Sequence, residues 1–344
     1  MSTASDLADL RTLIDADGPF VTVALPTPSE LDDAQYRLEV RWKNARREVD
    51  ESRWSAADLA DLDALVSALP HDGGASLVVI RAADASMLAE FLDEPIRESM
   101  VAEGPLPRLA LLIEARQRAI PHLVVETDRA GADIHVFDGG RVLGAQQVEG
   151  DTEFIHRGHP GGWSQRRFQQ RAENTWERNA DDVASKIVDM AQRHHSELIF
   201  VAGDVRARHL VVESLPERER NITTLIEAGS PDGVAAEVVR MLSDHWARCV
   251  RDLVERVKLR EGTGTASTDV GDVLAGLDEG RVEHLLVHDD GTDDAVTSVS
   301  YGGVPAGARV ADVAIAAALR SDAAVTVVPR VAVLDGLIAA LYRW

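Results

Sequence analysis

Short apolar segments alternate with longer amphipathic segments over the first third of the chain. Apolar runs rich in β-branched residues predict buried strands, and runs that mix polar and apolar positions at helical spacing predict helices. The predicted strands are residues 20–25, 76–80 and Leu109–Ile113, and the predicted helices are residues 5–16, 31–51 and 56–69. This alternation predicts a first α/β domain, residues 1–118.

The next part of the chain begins with three apolar runs separated by turn residues. His122–Glu126 and Ala132–Phe137 are predicted strands joined by a turn at 127–131, and a third strand is expected near Val142–Val148. A long helix from Ser164 to His194, a strand at Leu198–Val201 and a helix at Val234–Val257 follow. Three antiparallel strands followed by a helix and a strand predict a mixed sheet. The second predicted domain is residues 119–258.

The third predicted domain, residues 262–344, again alternates helix and strand. The expected order is helix 270–277, strand 282–288, helix 310–319, strand 325–328 and helix Val333–Leu341, which predicts an α/β/α sandwich. Five arginines against twelve acidic residues give this part a net charge of −7. It is therefore a poor candidate for phosphate contact and a better one for protein contact.

The bulk composition limits the class of protein. With 45% hydrophobic residues the chain can bury real cores, and no apolar run approaches the length of a membrane span. The polar, acidic N-terminus lacks signal-peptide features, and the lone Cys249 fits a reducing compartment, so we expect a cytoplasmic protein with no membrane partner. The net charge of −22 argues against a general nucleic-acid coat protein, but it leaves room for one local basic site.

Residues 155–178 reverse the charge of the chain. Five arginines against two glutamates give this segment a net charge of +3. Gly161 and Gly162 let backbone approach a ligand closely, and the helix that begins at Ser164 carries arginines beside a core-facing apolar stripe. Phe168, Ala172, Trp176, Val183, Ile187 and Met190 form this stripe. A glycine-containing loop followed by an arginine-bearing helix is suited to docking on a phosphate backbone.

The same segment resembles a known family. The middle domain of the archaeal and eukaryotic peptide-chain release factors carries Gly-Gly-Gln-Ser-x-x-Arg-Phe-x-x-x-Arg. This chain has Gly161, Gly162, Ser164, Arg167 and Phe168 in register, with Trp163 at the glutamine position and Arg171 one place earlier than the family's last arginine. The chain looks most like the bacterial branch, which includes actinobacterial ribosome hibernation factors.

This resemblance implies a fold and a set of partners. It implies an N-terminal α/β domain, a ribonuclease-H-like middle domain, and a C-terminal α/β/α sandwich similar to the kink-turn-binding ribosomal proteins. It also implies that the protein occupies the ribosomal A site, in contact with rRNA there and at the peptidyl-transferase centre, with elongation factor Tu as a candidate companion. We expect a monomer that needs no cofactor.

Trp163 stands where the release factors have the glutamine that helps to place the hydrolytic water. An indole has one donor and no acceptor, so it cannot position water as an amide does, but it can stack on a base. The first hypothesis is therefore a non-enzymatic factor. The residues expected to contact RNA are Arg157, His159, Gly161, Gly162, Trp163, Ser164, Gln165, Arg166, Arg167 and Arg171.

Two enzymatic alternatives remain open. Gln165, two residues beyond Trp163, would serve in a peptidyl-tRNA-cleaving rescue factor. Glu126, Asp128 and Asp204, at predicted strand ends, would hold Mg²⁺ in a nuclease, although Asp128 and Asp204 are equally suited to turn and capping roles. No metal site is predicted, because the histidine pairs lack further ligands at suitable spacing.

Overall fold

The computed structural model describes residues 7–27, 34–68, 74–96, 98–150, 164–289, 295–329 and 336–344. Within these residues the strands form three sheets, each accompanied by helices, so the predicted α/β class is confirmed. The chain folds into two compact units. One is Arg118–Ala247, and the other combines the residues on either side of it. The boundaries of the three predicted domains stay a prediction.

The first sheet has helices on both faces. Its part of the chain contains α1 (Ala8–Ile14), β1 (Phe20–Pro26), α2 (Ala34–Arg46), α3 (Ala56–Ala68), β2 (Ser76–Ala82), β3 (Met87–Leu92), β4 (Met100–Gly104) and α4 (Ala110–Arg118). The strands pair antiparallel in the order β3-β2-β1-β4. One face packs against α2 and α3, and the other packs against α1 and α4. The sequence pattern did not predict β3 or β4.

The predicted strand Leu109–Ile113 is wrong, because most of this run lies in α4. Leu109, Leu112, Ile113 and Gln117 are buried, which is the spacing of one helix face. A short apolar run does not by itself distinguish a buried strand from a buried helix. Here the helix-favouring residues that follow the run decide the outcome.

The middle unit contains the mixed sheet that the sequence predicted. Its elements are β5 (His122–Thr127), β6 (Gly131–Asp138), β7 (Arg141–Glu149), α5 (Ser164–Arg193), β8 (Leu198–Gly203), α6 (Val205–Ser214), α7 (Glu217–Asn221), β9 (Thr223–Leu225) and α8 (Pro231–Glu261), whose last turns belong to the other unit. In the order β7-β6-β5-β8-β9 the first three strands pair antiparallel, and β5, β8 and β9 pair parallel. Helices α5 and α6 cover one face, and the start of α8 covers the other.

The third sheet contains a strand where the sequence predicted a helix. The elements are β10 (Ala266–Ser267), α9 (Val270–Asp278), β11 (Val282–Val287), α10 (Val310–Arg320), β12 (Ala324–Val327) and β13 (Ile338–Tyr342), in the sheet order β10-β13-β11-β12. The predicted helix Val333–Leu341 is therefore wrong at its C-terminal end. Pairing on both sides buries all of β13, and this tertiary context overrides the helix propensity of its alanines and leucine.

Residues far apart in sequence share one core in the larger unit. Buried side chains of α1, β2 and α4 belong to the same apolar cluster as those of α9, β11 and α10. Arg320 donates to the Ile14 carbonyl oxygen at 2.8 Å, and Arg11 pairs with Asp322 at 2.6 Å. The first and third sheets are therefore held together by apolar packing as well as by polar contacts. None of the helices in the described residues combines the length and apolar character that a membrane span requires.

The buried histidine of β11 predicts acid sensitivity of this unit. The His284 ring is 4% exposed, with Nε2 2.7 Å from the Thr326 hydroxyl. Burial, followed by the charge of Arg256, lowers the pKa of His284 from 6.5 to about 4. This contribution to stability is present above pH 6.5 and is lost as the pH falls towards 4. It amounts to about 3 kcal/mol.

We therefore expect wild-type protein to lose about 2 to 3 kcal/mol more unfolding free energy than His284→Gln between pH 7.5 and pH 4.5. Urea unfolding at both pH values, followed by hydrogen exchange in β11, measures the difference. Burial raises the pKa of Asp312 to about 6, which acts in the opposite sense, but this contribution is common to both proteins and cancels. Equal losses in the two proteins would contradict the prediction.

Candidate functional site

The predicted RNA-binding residues fall in two groups. Arg157, His159, Gly161, Gly162 and Trp163 lie outside the described residues. Ser164, Gln165, Arg166, Arg167 and Arg171 lie in the first turns of α5, whose backbone is helical from Ser164 onwards. The helix that the sequence predicted from Ser164 is therefore confirmed. The roles of all ten residues stay a prediction.

Helix α5 has a packed half and a preceding basic half. From Trp176 onwards its apolar side chains are buried against the sheet, among them Val183, Ile187 and Met190, so this part of the predicted stripe is confirmed. Residues 164–175 come before that packed half, and at 1.5 Å per residue they span about 18 Å. Arg166, Arg167 and Arg171 all belong to this basic half.

Gly150, the residue directly after β7, is held in place by neighbouring segments of the middle unit. The Gly150 amide donates to the Ala130 carbonyl oxygen at 2.6 Å. A Cβ atom on Gly150 would lie 2.3 Å from Cγ of Asn179, so an alanine directly after β7 would have to displace the buried Asn179 side chain. The Asn179 side-chain amide in turn donates to the Arg129 carbonyl oxygen at 2.9 Å. The end of β7, the turn between β5 and β6, and α5 therefore meet here.

This arrangement separates the two residues that flank 151–163. Gly150 is held against Asn179, whereas Ser164 lies fifteen residues earlier on the same helix. The corresponding distance along a helix axis is about 22 Å. Ser164 is therefore at the start of the first four turns of α5, and Gly150 is packed against Asn179 at their end.

Two arginines and a tryptophan form a cluster beside Gly150. The guanidinium carbons of Arg129 and Arg206 lie 4.7 Å and 5.3 Å from the centroid of the Trp176 ring. Arg129 pairs with Asp204 at 3.1 Å, and Arg206 pairs with Glu173 at 3.2 Å. We call these five residues the arginine–tryptophan cluster. It joins the β5–β6 turn, α5 and the start of α6.

The sequence pattern did not single out Arg129 or Arg206. Each follows a predicted strand and an aspartate, Asp128 and Asp204 respectively. Because β5 and β8 pair parallel, their carboxyl ends meet at one edge of the sheet, which brings these arginines to the same tryptophan. The sequence alone does not show that β5 and β8 pair, so it could not show that the two arginines meet. The one feature of the sequence that could have indicated them is that an aspartate and then an arginine follow each of these two strands.

Two of the three acidic candidates for a metal site, Asp128 and Asp204, have other roles. One Asp128 carboxylate oxygen accepts from the Ala130 and Gly131 amides, which closes the turn. Asp204 caps α6 by accepting from the Arg206 and Ala207 amides. Partial burial acts to raise the pKa of Asp204, but hydrogen bonds from the Ala207 amide and from Arg129 outweigh it, so the pKa lies below its usual value. Across the described ranges, no three His, Cys, Asp or Glu side chains are grouped as metal ligands.

Comparison with known proteins relates the chain to translation termination factors. Residues 121–263 match bacterial archaeo-eukaryotic release factor family 2. An uncharacterized protein of Mycobacterium tuberculosis is 26% identical over 299 residues, which cover 84% of this chain and 79% of that protein. Peptide chain release factor subunit 1 of Aeropyrum pernix is 27% identical over 190 residues, covering 51% of this chain and 50% of that protein. These matches confirm the resemblance of this chain to a bacterial branch of the release-factor family.

Two solved structures of archaeal proteins align with this chain over its full length. Pelota of Archaeoglobus fulgidus has a TM-score of 0.36 and 12% identity, and the alignment covers 100% of this chain and 93% of that one. The archaeal translation termination factor aRF1 has a TM-score of 0.27 and 18% identity, with 100% and 99% covered.

Proposed function

We propose that this protein is a ribosome-binding, release-factor-like translation factor that occupies the A site and protects idle ribosomes. The match of residues 121–263 to the release-factor family supports the class of protein. The observation that carries the proposal is the form of α5. Its first twelve residues, 164–175, form about 18 Å of continuous helix that carries Arg166, Arg167 and Arg171, and a basic helical segment of this length suits binding to an RNA backbone.

In this proposal the local charge does the binding. Arg166, Arg167 and Arg171 contact rRNA phosphates, and Trp163 stacks on a base near the peptidyl-transferase centre. Attraction of this kind needs only a local basic surface, so the overall charge of −22 does not oppose it. The acidic remainder of the protein instead disfavours binding to arbitrary RNA.

The proposal includes no hydrolysis. The position of the release-factor glutamine holds Trp163, which has no acceptor to orient a water. Rescue by peptidyl-tRNA cleavage would depend on Gln165 and is the enzymatic alternative. The nuclease hypothesis is disfavoured, because Asp128 and Asp204 are engaged in a turn and a helix cap. We further propose a cytoplasmic monomer, with elongation factor Tu as a companion to be tested.

Reversing the charge of the first turn of α5 tests this function. We expect Arg166→Glu/Arg167→Glu to lose at least about a hundredfold in affinity for vacant ribosomes, since two phosphate contacts become repulsive. Co-sedimentation at two salt concentrations measures the affinity. The matched control is Arg218→Glu/Arg251→Glu, which makes the same charge change at two exposed arginines on α7 and α8. It should bind within about threefold of wild type.

A parallel assay of release from peptidyl-tRNA separates the two translation hypotheses. Wild-type binding without release supports the proposal. Release that disappears in Gln165→Ala would replace it with the rescue enzyme. If wild-type protein does not sediment with ribosomes at modest salt, or if both charge reversals weaken binding equally, the proposed site is wrong.

A further inference from the structure

The arginine–tryptophan cluster holds α5 at the point where its basic half ends and its packed half begins. Glu173, Trp176 and Asn179 are spaced three residues apart, so they follow one side of the helix. Arg206 pairs with Glu173 and lies over the ring of Trp176. The Asn179 side chain donates to the Arg129 carbonyl oxygen. Three successive positions on α5 are thus fixed by two neighbouring segments of the chain.

These two segments are themselves rigidly placed. Arg129 lies in a turn closed by Asp128 and next to β5 in the centre of the sheet. Arg206 lies in the first turn of α6, which Asp204 caps, and Asp204 also binds Arg129. A Trp176 ring that is 3% exposed fills the space between the turn and the two helices. The cluster therefore connects the direction of α5 to the sheet.

We propose that Arg129, Trp176 and Arg206 are positioning residues that fix the direction of the basic half of α5 and so set the affinity for RNA without contacting it. This inference rests on the proposed function. Arg129 and Arg206 are about half exposed, but each is directed to an acidic partner and to the indole. Residues that hold an element in its binding orientation reduce the ordering cost of binding.

Salt dependence distinguishes positioning from direct contact. Each phosphate contact contributes about 0.7 to 0.9 to the slope of log affinity against log salt. Loss of a positioning residue lowers affinity at every salt concentration and leaves the slope unchanged. Loss of an arginine that binds phosphate lowers the affinity and also reduces the magnitude of the salt slope.

The experiment compares full-length variants for binding to vacant ribosomes, well below their unfolding temperature. We expect Arg206→Gln and Trp176→Leu to bind on the order of tenfold more weakly than wild type, with an unchanged salt slope. Trp176→Phe keeps an aromatic face and should recover most of the loss. Arg218→Gln, at an exposed arginine elsewhere in the same unit, is the matched control and should bind as wild type does. If Trp176→Leu unfolds, Arg206→Gln alone decides, because Arg206 is at the surface.

Hydrogen exchange of residues 164–175 tests the inference independently of the ribosome. In Arg206→Gln these amides should exchange about tenfold faster, while those of residues 184–193 stay unchanged. Accelerated exchange together with failure of the wild-type protein to bind ribosomes would support positioning and reject the proposed function. Unchanged exchange, unchanged affinity, or a slope lower by about one phosphate contact would each overturn the positioning role.

Discussion

Replacing Gly203 with alanine should destabilise the middle unit by roughly 4 kcal/mol or more, beyond the usual range for a point mutation. Gly203 ends β8 with a φ of +110°, and a Cβ atom there would lie 1.9 Å from the Thr127 carbonyl oxygen. That oxygen also accepts from the Asp204 amide. The overlap is with backbone atoms, so β5 and β8 would have to move apart at their carboxyl ends. Asp204 and Arg129 follow these strand ends and would move with them.

Gly144→Ala is the matched control in the same sheet. Gly144 lies on β7, and a Cβ atom there would meet no heavy atom within 4 Å. Alanine should therefore leave stability unchanged or raise it by up to about 1 kcal/mol. Urea unfolding, with hydrogen exchange at residues 122–127 and 198–203, measures both variants. Equal midpoints for Gly203→Ala and wild type would show that the edge can relax.

Hydrophobic spacing predicted the middle unit better than the parts around it. Three apolar runs separated by turn residues specify an antiparallel meander locally, and α5 has a stripe long enough to be unambiguous. Short apolar runs gave the wrong answer, as at α4, which is buried along one face, and at β13, which is buried throughout. In both places the deciding factor is what packs against the run, and a single sequence does not contain it.

In the candidate site, too, the local features could be predicted from the sequence, and the contacts between distant residues could not. Its charge reversal, its glycines and the helix from Ser164 follow from residue order. The contacts of Arg129 and Arg206 with Trp176 depend on the parallel pairing of β5 with β8, which joins residues about 75 positions apart. The predicted turn and capping roles of Asp128 and Asp204 are confirmed, because such hydrogen bonds are local.

The sequence also gave no sign that its first and third predicted domains share a core. Gln117, at the end of α4, is 4% exposed and lies against β12, the edge strand of the third sheet. Its side chain donates to the Val327 carbonyl oxygen at 3.3 Å and accepts from the Val327 amide at 3.0 Å. One glutamine thus supplies both hydrogen bonds that a neighbouring strand would make, over a separation of 210 residues.

Gln117→Met should therefore lower the unfolding free energy of the larger unit by about 2 to 5 kcal/mol. Methionine keeps the length of the side chain but leaves a buried N–H and a buried carbonyl oxygen without partners. Because the two sheets share one core, amides of β1 and β2 and amides of β11 and β13 should lose protection together, by the same free energy. Hydrogen exchange under increasing urea measures this for each peptide.

The control is Gln35→Met, which makes the same replacement at an exposed position of α2 in the same unit and should change stability by less than about 0.5 kcal/mol. If Gln117→Met affects only the third sheet, the two sheets unfold independently and the predicted three-domain organisation describes their stability. If both sheets respond equally, the first and third parts of the chain form one cooperative body. Any rearrangement of the factor would then have to move that body as a whole.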